Sequence, residues 1–264
     1  MDIQGSVALI TGGGKGIGEA VAKHLVRQGA KVAIVDMGQA DIDRVVGEIQ
    51  AMGGQAIGVQ ANVTSEADTA RFIQATIEAF GQLNIVVTCA GIIRDGTLLA
   101  LDKETGKVSR KLGMDKWLPV IDVDLTGTFL TLRDASEAMV NGGWKGLLVP
   151  ISSVNKVGQI GQLNYSSAKA AVAMMPKIII GEFLMRGIRN VRCVGIAPGY
   201  TATPMLTGMN QDALKAILKD VHLDRLVEPQ EVADLIAHCV TNEALNATTL
   251  EITGGLCYPG GIAK

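Results

Sequence analysis

The sequence predicts an α/β fold, a doubly wound parallel sheet with helices on both faces, on three observations. Short aliphatic runs alternate with longer amphipathic stretches along the 264 residues. A glycine-rich turn joins the first run to the first amphipathic stretch, and an aspartate closes the second run. That alternation is the pattern of strands laid parallel by helical crossovers.

Taken in order, strands are predicted over 7–11, 32–36, 56–60, 85–88, 147–151, 191–196 and 249–252. Runs such as Val7-Ala8-Leu9-Ile10 and Val32-Ala33-Ile34-Val35 are apolar at every position, as strands covered on both faces require. Helical periodicity covers 16–28, 42–52, 65–80, 114–139 and 164–185. Pro176 falls inside the last of these and is expected to kink that helix or bound a subsegment. No repeat, low-complexity tract or flexible linker divides the chain, so 1–264 reads as one domain. One polar segment, LLALDKETGKVSRKL within 97–116, breaks the rhythm, with Glu104-Thr105-Gly106 at its centre. It reads as an inserted surface hairpin or loop.

Composition removes several classes of function. With 24 basic against 26 acidic residues the net charge is −2, and no basic stripe is interleaved with aromatics, so a nucleic-acid partner is not expected. The N-terminus lacks the charge pattern of a signal peptide. No apolar run approaches the ~18 residues of a membrane span. Cys89, Cys193, Cys239 and Cys257 form no CxxC, and the three histidines are scattered. Neither a metal site nor a disulfide framework is indicated, and reduced thiols in a cytoplasmic protein are the expectation.

The first strand runs into Thr11-Gly12-Gly13-Gly14-Lys15-Gly16-Ile17-Gly18, where a helix begins. Glycines at such a junction let the backbone approach a pyrophosphate, and the helix N-terminus offers unpaired N–H groups. Asp36 ends the second strand, where a Rossmann fold places the carboxylate that binds the adenosine ribose. A carboxylate there repels the 2′-phosphate of NADP. Met37 follows it without adding a cation, while Lys15 is the contrary hint. NAD is therefore expected over NADP.

Tyr165 and Lys169 lie one helical turn apart, and Ser152 ends a strand at the sheet's carboxyl edge. An ordinary tyrosine, titrating near pH ~10, is a poor base at neutrality. An ammonium one turn away, in a partly desolvated cleft, would make the phenol a usable one. With the TGGGKGIG loop, Cys89-Ala90-Gly91, the ISS…YSSAK block, Pro198-Gly199 with Thr203, and Gly254-Gly255, the chain resembles the single-domain branch of the short-chain dehydrogenase/reductase family over nearly its whole length. The resemblance implies Tyr165 as general acid/base, Ser152 holding the substrate oxygen, Lys169 on the nicotinamide ribose, and Thr201 and Thr203 by the carboxamide. It also implies a homotetramer.

Three positions depart from the family pattern: Cys89 replaces an asparagine, Asn62 before Val63 replaces an aspartate, and Asp124 replaces the asparagine of a proton relay to the lysine. Asn62 and Val63 are expected at the adenine, and Asp124 beside Lys169. By the same resemblance, Ile92, Ile93, Arg94, Val154, Asn155, Gln162, Tyr200 and the 205–209 stretch with Met205 would meet substrate, and 199–222 would act as a lid. The leading reading is an NAD(H)-dependent oxidoreductase of CH–OH groups, interconverting a small or medium secondary alcohol and its ketone. The alternative is reduction of a 3-oxoacyl thioester on a carrier protein or coenzyme A, and a lesser one is a weakly catalytic NAD(H)-binding sensor.

Overall fold

The computed structural model describes residues 1–208 and 211–256, apart from the side chains of Met205, Gln211 and Ala213. Met209 and Cys257 lie outside the described residues, as does the Met205 side chain. Along the chain, β1 (Val7–Thr11), α1 (Gly16–Arg27), β2 (Lys31–Asp36), α2 (Gln39–Ala51), β3 (Ala56–Gln60), α3 (Glu66–Phe80) and β4 (Ile85–Thr88) form the first half. The hairpin β5 (Leu99–Leu101) and β6 (Val108–Lys111) follows, then α4 (Met114–Val120), α5 (Gly127–Asn141), β7 (Gly146–Pro150) and α6 (Leu163–Met185). The chain continues with β8 (Val191–Pro198), α7 (Pro204–Thr207), α8 (Gln211–Leu218), α9 (Pro229–Thr241) and β9 (Thr248–Ile252).

Seven strands form one sheet in the order β3-β2-β1-β4-β7-β8-β9, with neighbouring strands parallel throughout. Leu9 of β1 lies opposite Ala33 on one side and Val86 on the other. Side chains alternate between two cores, as a pleated strand dictates. Ile10, Ile34 and Val87 pack with Leu25, Val45 and Ile236 under α1, α2 and α9. Leu9, Val86 and Leu148 pack with Phe72, Leu132 and Met139 under α3 and α5. The strand order reverses direction between β1 and β4, which opens a crevice beyond their carboxyl ends.

Two predicted helices are corrected. The 114–139 stretch is not one helix: α4 passes into a wide π-helical turn, Ile121–Thr126, before α5 begins. Pro119, inside α4, lacks the N–H that would bond the carbonyl four residues back, and a widened turn absorbs the change of register. That turn carries Asp124, fully buried. Pro176 does not divide α6, which runs through it; the ring is buried and faces Gly195 of β8. The helix α9, absent from the predicted segments, opens with Pro229 and a reciprocal cap between Glu228 and Glu231. It packs along α1 and completes the first core. Among the described residues, no helix is long and apolar enough to cross a membrane.

Phe72 is wholly enclosed in the second core, so Phe72→Ala is expected to lower stability by about 3–5 kcal/mol. Denaturant unfolding measures this, and an unshifted midpoint would contradict the packing described.

Candidate active site

The crevice is walled by bare backbone. At Gly12 the chain turns with φ of +64°, and a side chain there would come within 2.7 Å of the Ala90 nitrogen. A side chain at Gly18 would strike the Gly12 carbonyl. The loop after β1 therefore touches the loop after β4, and Cys89 N donates to Thr11 O at 3.0 Å across the join. Ile17 packs into the first core and roots α1 below the loop. On the opposite lip, Thr203 brings its methyl group to the edge of Gly16. That segment is held by Gly199 N donating to Ile252 O, just beyond Pro198, and by the buried Thr201 hydroxyl donating to Gly199 O.

Asp36 stands at the end of β2 with Oδ2 accepting from Gly14 N at 3.0 Å and Oδ1 from Met37 N at 2.8 Å. The cations around it are all engaged by carboxylates. Lys15 Nζ lies 3.3 Å from Asp41, Arg44 bonds Glu19 and Glu48, and Lys23 bonds the same two. Asn62 accepts from the N–H and hydroxyl of Thr64, and Val63 is buried against Gly127. These residues fit a dinucleotide: a side-chain-free cradle at a helix N-terminus, a carboxylate beside it, and polar groups along one edge.

The reaction residues converge at the adjoining edge. Ser152 and Lys169 are nearly enclosed. The Ser152 hydroxyl donates to Lys169 O at 2.7 Å, and rotation about its C–O bond turns the same O–H toward a substrate oxygen. Lys169 Nζ donates to Ile151 O at 3.1 Å, lies 3.3 Å from Asp124 Oδ2, and sits 5.5 Å from the centre of the half-exposed Tyr165 ring. Asp124 Oδ1 accepts from Ile92 N at 2.8 Å, which fixes the loop beyond Gly91. Burial pushes the Asp124 carboxyl above the ordinary carboxylate range, against the pull of Lys169 and the Ile92 N–H. Burial by itself depresses the Lys169 ammonium, yet Asp124, Tyr165 and Cys89 together outweigh it and hold the lysine above its ordinary value. The ion pair, with Lys169 charged, is the state this geometry supports. Cys89 differs: burial pushes its thiol up to about 12, so it stays neutral.

The residues expected to meet substrate divide. Val154 is buried in a small apolar cluster with Tyr200, Leu218, Val221 and Leu256, which brings these residues against the chain just after β7. Burial, with Asp220 nearby, pushes the Tyr200 hydroxyl up. Gln162 is already engaged: Nε2 donates to Asp95 at 3.0 Å and Oε1 accepts from Asn155 at 2.9 Å. Asn155 Oδ1 and Gln159 Oε1 are buried and have no hydrogen-bond partner among the described residues. Ile93 is half-buried, and Arg94 is exposed, donating to Ile93 O.

The sequence reading passed over Asn164. It is fully buried; Nδ2 donates to Arg94 O and Lys116 O, and Oδ1 accepts from Tyr165 N. It ties the loop after β4, α4 and the catalytic helix together. An asparagine in a first helical turn is a signal for such local bonding, but its distant partners follow only from the fold. A groove between α3 and α5, lined by Ile73, Ile77, Arg133 and Trp144, holds none of these residues.

Comparison with known proteins is consistent with this geometry. A family profile described as short chain dehydrogenase matches residues 6–214. A human (3R)-3-hydroxyacyl-CoA dehydrogenase is 35% identical over 266 residues, covering 96% of each chain. A 3-oxoacyl-[acyl-carrier-protein] reductase of Synechocystis sp. is 36% identical over 256 residues, covering 95% of this chain and 96% of its own. A solved short-chain dehydrogenase/reductase from Serratia marcescens superposes with a TM-score of 0.85 at 23% identity, covering 98% of this chain and 100% of its own.

The Asp124 carboxylate offsets the Lys169 charge beside Tyr165. Removing it in Asp124→Asn leaves burial to depress the Lys169 ammonium. The alkaline limb of the pH–rate profile, where Lys169 loses its proton, should therefore move to lower pH. Superimposable profiles would contradict the ion pair's role.

Proposed function

The chain belongs to the short-chain dehydrogenase family, and on that premise we propose that it interconverts a 3-hydroxyacyl thioester and its 3-oxo form with NAD(H). It is an oxidoreductase of CH–OH groups, and the family draws on NAD or NADP. The cluster of Ser152, Tyr165 and Lys169 against the glycine cradle carries the reading. The names of the human and Synechocystis relatives support the substrate class. A 3-hydroxyacyl thioester is itself a secondary alcohol, so this narrows the reading drawn from sequence and merges it with the thioester alternative.

In oxidation, Tyr165 takes the hydroxyl proton while Ser152 donates its own O–H to the substrate oxygen and fixes it. Lys169 supplies the positive charge that favours the phenolate, and its own ammonium is held by Asp124 and the Ile151 carbonyl. A bound nicotinamide supplies the hydride acceptor in this direction and the donor in the reverse. The apolar wall of Val154 and Tyr200 suits an acyl chain.

NAD is preferred on charge. A 2′-phosphate would meet Asp36, while Lys15, Lys23 and Arg44 are each held by another carboxylate. The neutral Cys89 thiol counts against a thiol-based sensor. The family resemblance implies a homotetramer, and the exposed apolar side chains of Phe129 on α5 and Met174, Ile178 and Met185 on α6 support it. A reducing cytoplasm suits the free Cys89, Cys193 and Cys239.

Nicotinamide fluorescence titration should show NADH binding at least tenfold tighter than NADPH, with Asp36→Ser narrowing the gap. Equal affinities in the wild type would overturn the charge argument. Tyr165→Phe should lower kcat on 3-oxoacyl thioesters by 10²-fold or more while NADH still binds. Turnover of simple secondary alcohols alone would restore the broader reading. For the assembly, Ile178→Glu should yield a smaller species by light scattering.

A further inference from the structure

The hairpin β5–β6 has no part in the reaction residues, and its side chains are exposed almost throughout. It carries Lys103, Lys107, Arg110 and Lys111, none of which makes an ion pair among the described residues. By contrast, Arg44, Arg71, Arg133 and Arg225 each pair with carboxylates. The hairpin's own acids do not offset this surplus. Asp102 folds back to accept from Thr105 and Glu104 N–H groups in the turn, leaving Glu104 as the one acidic side chain of the tip not engaged.

The register puts apolar groups among these cations. Leu99 lies opposite Lys111, and Leu101 opposite Val108, so these four share one face of the ribbon. Leu99, Leu101 and Val108 are each about half exposed or more. An isolated two-stranded hairpin gains little stability from its own contacts, so an uncovered apolar face is an unusual feature to retain.

The root of the hairpin is fastened to the reaction site. Gly96 bridges to Gln162 and donates to Gly161 O. Asp95 accepts from Gln162, its carbonyl accepts from Lys116, and Asn164 holds Arg94 O next to Tyr165. The chain from Gly96 through β5 to Lys103 spans at most roughly 23 Å when extended. That is comparable to an extended pantetheine arm, which is apolar and amide in character and ends in phosphate.

We propose that β5–β6 is the docking surface for the phosphorylated end of coenzyme A, with the thioester held at Tyr165. The proposal rests on the thioester reading above. The leucine and valine face lies along the arm, and Lys103, Lys107, Arg110 and Lys111 meet the phosphates. A carrier protein fits less well. A stable protein interface needs about 800 Å² per partner, and an acidic partner of that size would also meet Asp95, Glu104 and Asp115 in a chain of net charge −2.

The test uses the full chain saturated with NADH, which keeps coenzyme A out of the dinucleotide site. Titration with free coenzyme A is compared between wild type and a variant carrying Lys103→Glu, Lys107→Glu, Arg110→Glu and Lys111→Glu, and a second with glutamine at the four positions. Binding should weaken at least tenfold in the first and less in the second. In assays, KM for acetoacetyl-CoA should rise by a similar factor at unchanged kcat. KM for the N-acetylcysteamine thioester, which has no phosphate, should not move. Coenzyme A binding that is absent or indifferent to both variants overturns the proposal. So does a parallel loss with both thioesters, or a change in oligomeric mass with coenzyme A affinity intact. Hairpin-dependent binding of coenzyme A without turnover of either thioester would sustain the docking surface and refute the substrate reading.

Discussion

A charged pair is enclosed at the centre of this molecule: Asp124 has no exposure and Lys169 almost none. Enclosing either ion alone would cost several kcal/mol, so each offsets the burial of the other. Three separate pieces of chain are fixed as a result. The widened turn between α4 and α5 must aim Asp124 inward, α6 must present Lys169 to it, and the loop after β4 must offer the Ile92 N–H to the carboxylate's other oxygen. Because Ser152 bonds the Lys169 carbonyl and Lys169 bonds Ile151 O, the end of β7 is drawn into the same arrangement. Geometry and charge at Tyr165 are thus set together.

The dinucleotide side follows a second constraint, the approach of two backbones. Gly12 is close enough to Ala90 that any side chain would separate the loops after β1 and β4. That approach brings the phosphate cradle to the reaction residues. It also leaves charge as the means of choosing the cofactor, and the chain pairs each nearby cation with a carboxylate around Asp36. The hairpin presents the reverse situation, cations without carboxylates, at the end of the same loop that Asp124 and Asn164 hold in place.

Much of this was legible from sequence, for identifiable reasons. Parallel strands covered on both faces are apolar at every position, so β1 and β2 announce themselves, and the glycine loop with Asp36 marks the crevice. The π-helical turn was not legible, because its cause, Pro119, sits within an otherwise continuous amphipathic pattern. Periodicity does not register one extra residue in a turn. Asn164 and Gln162 are equally opaque: their partners, Arg94, Lys116 and Asp95, lie far away in the chain. For α9 the signals were present in Glu228, Pro229 and Glu231, and local capping chemistry was enough to find it.

The most direct test follows one atom. Acetoacetyl-CoA would be mixed with NADH carrying deuterium at both C4 positions, and the hydroxyacyl product examined by mass spectrometry. Direct transfer at Tyr165 predicts one deuterium, bound to C3 of the product, with none formed by Tyr165→Phe. Product without deuterium, or no product from a protein that binds NADH, would contradict the account.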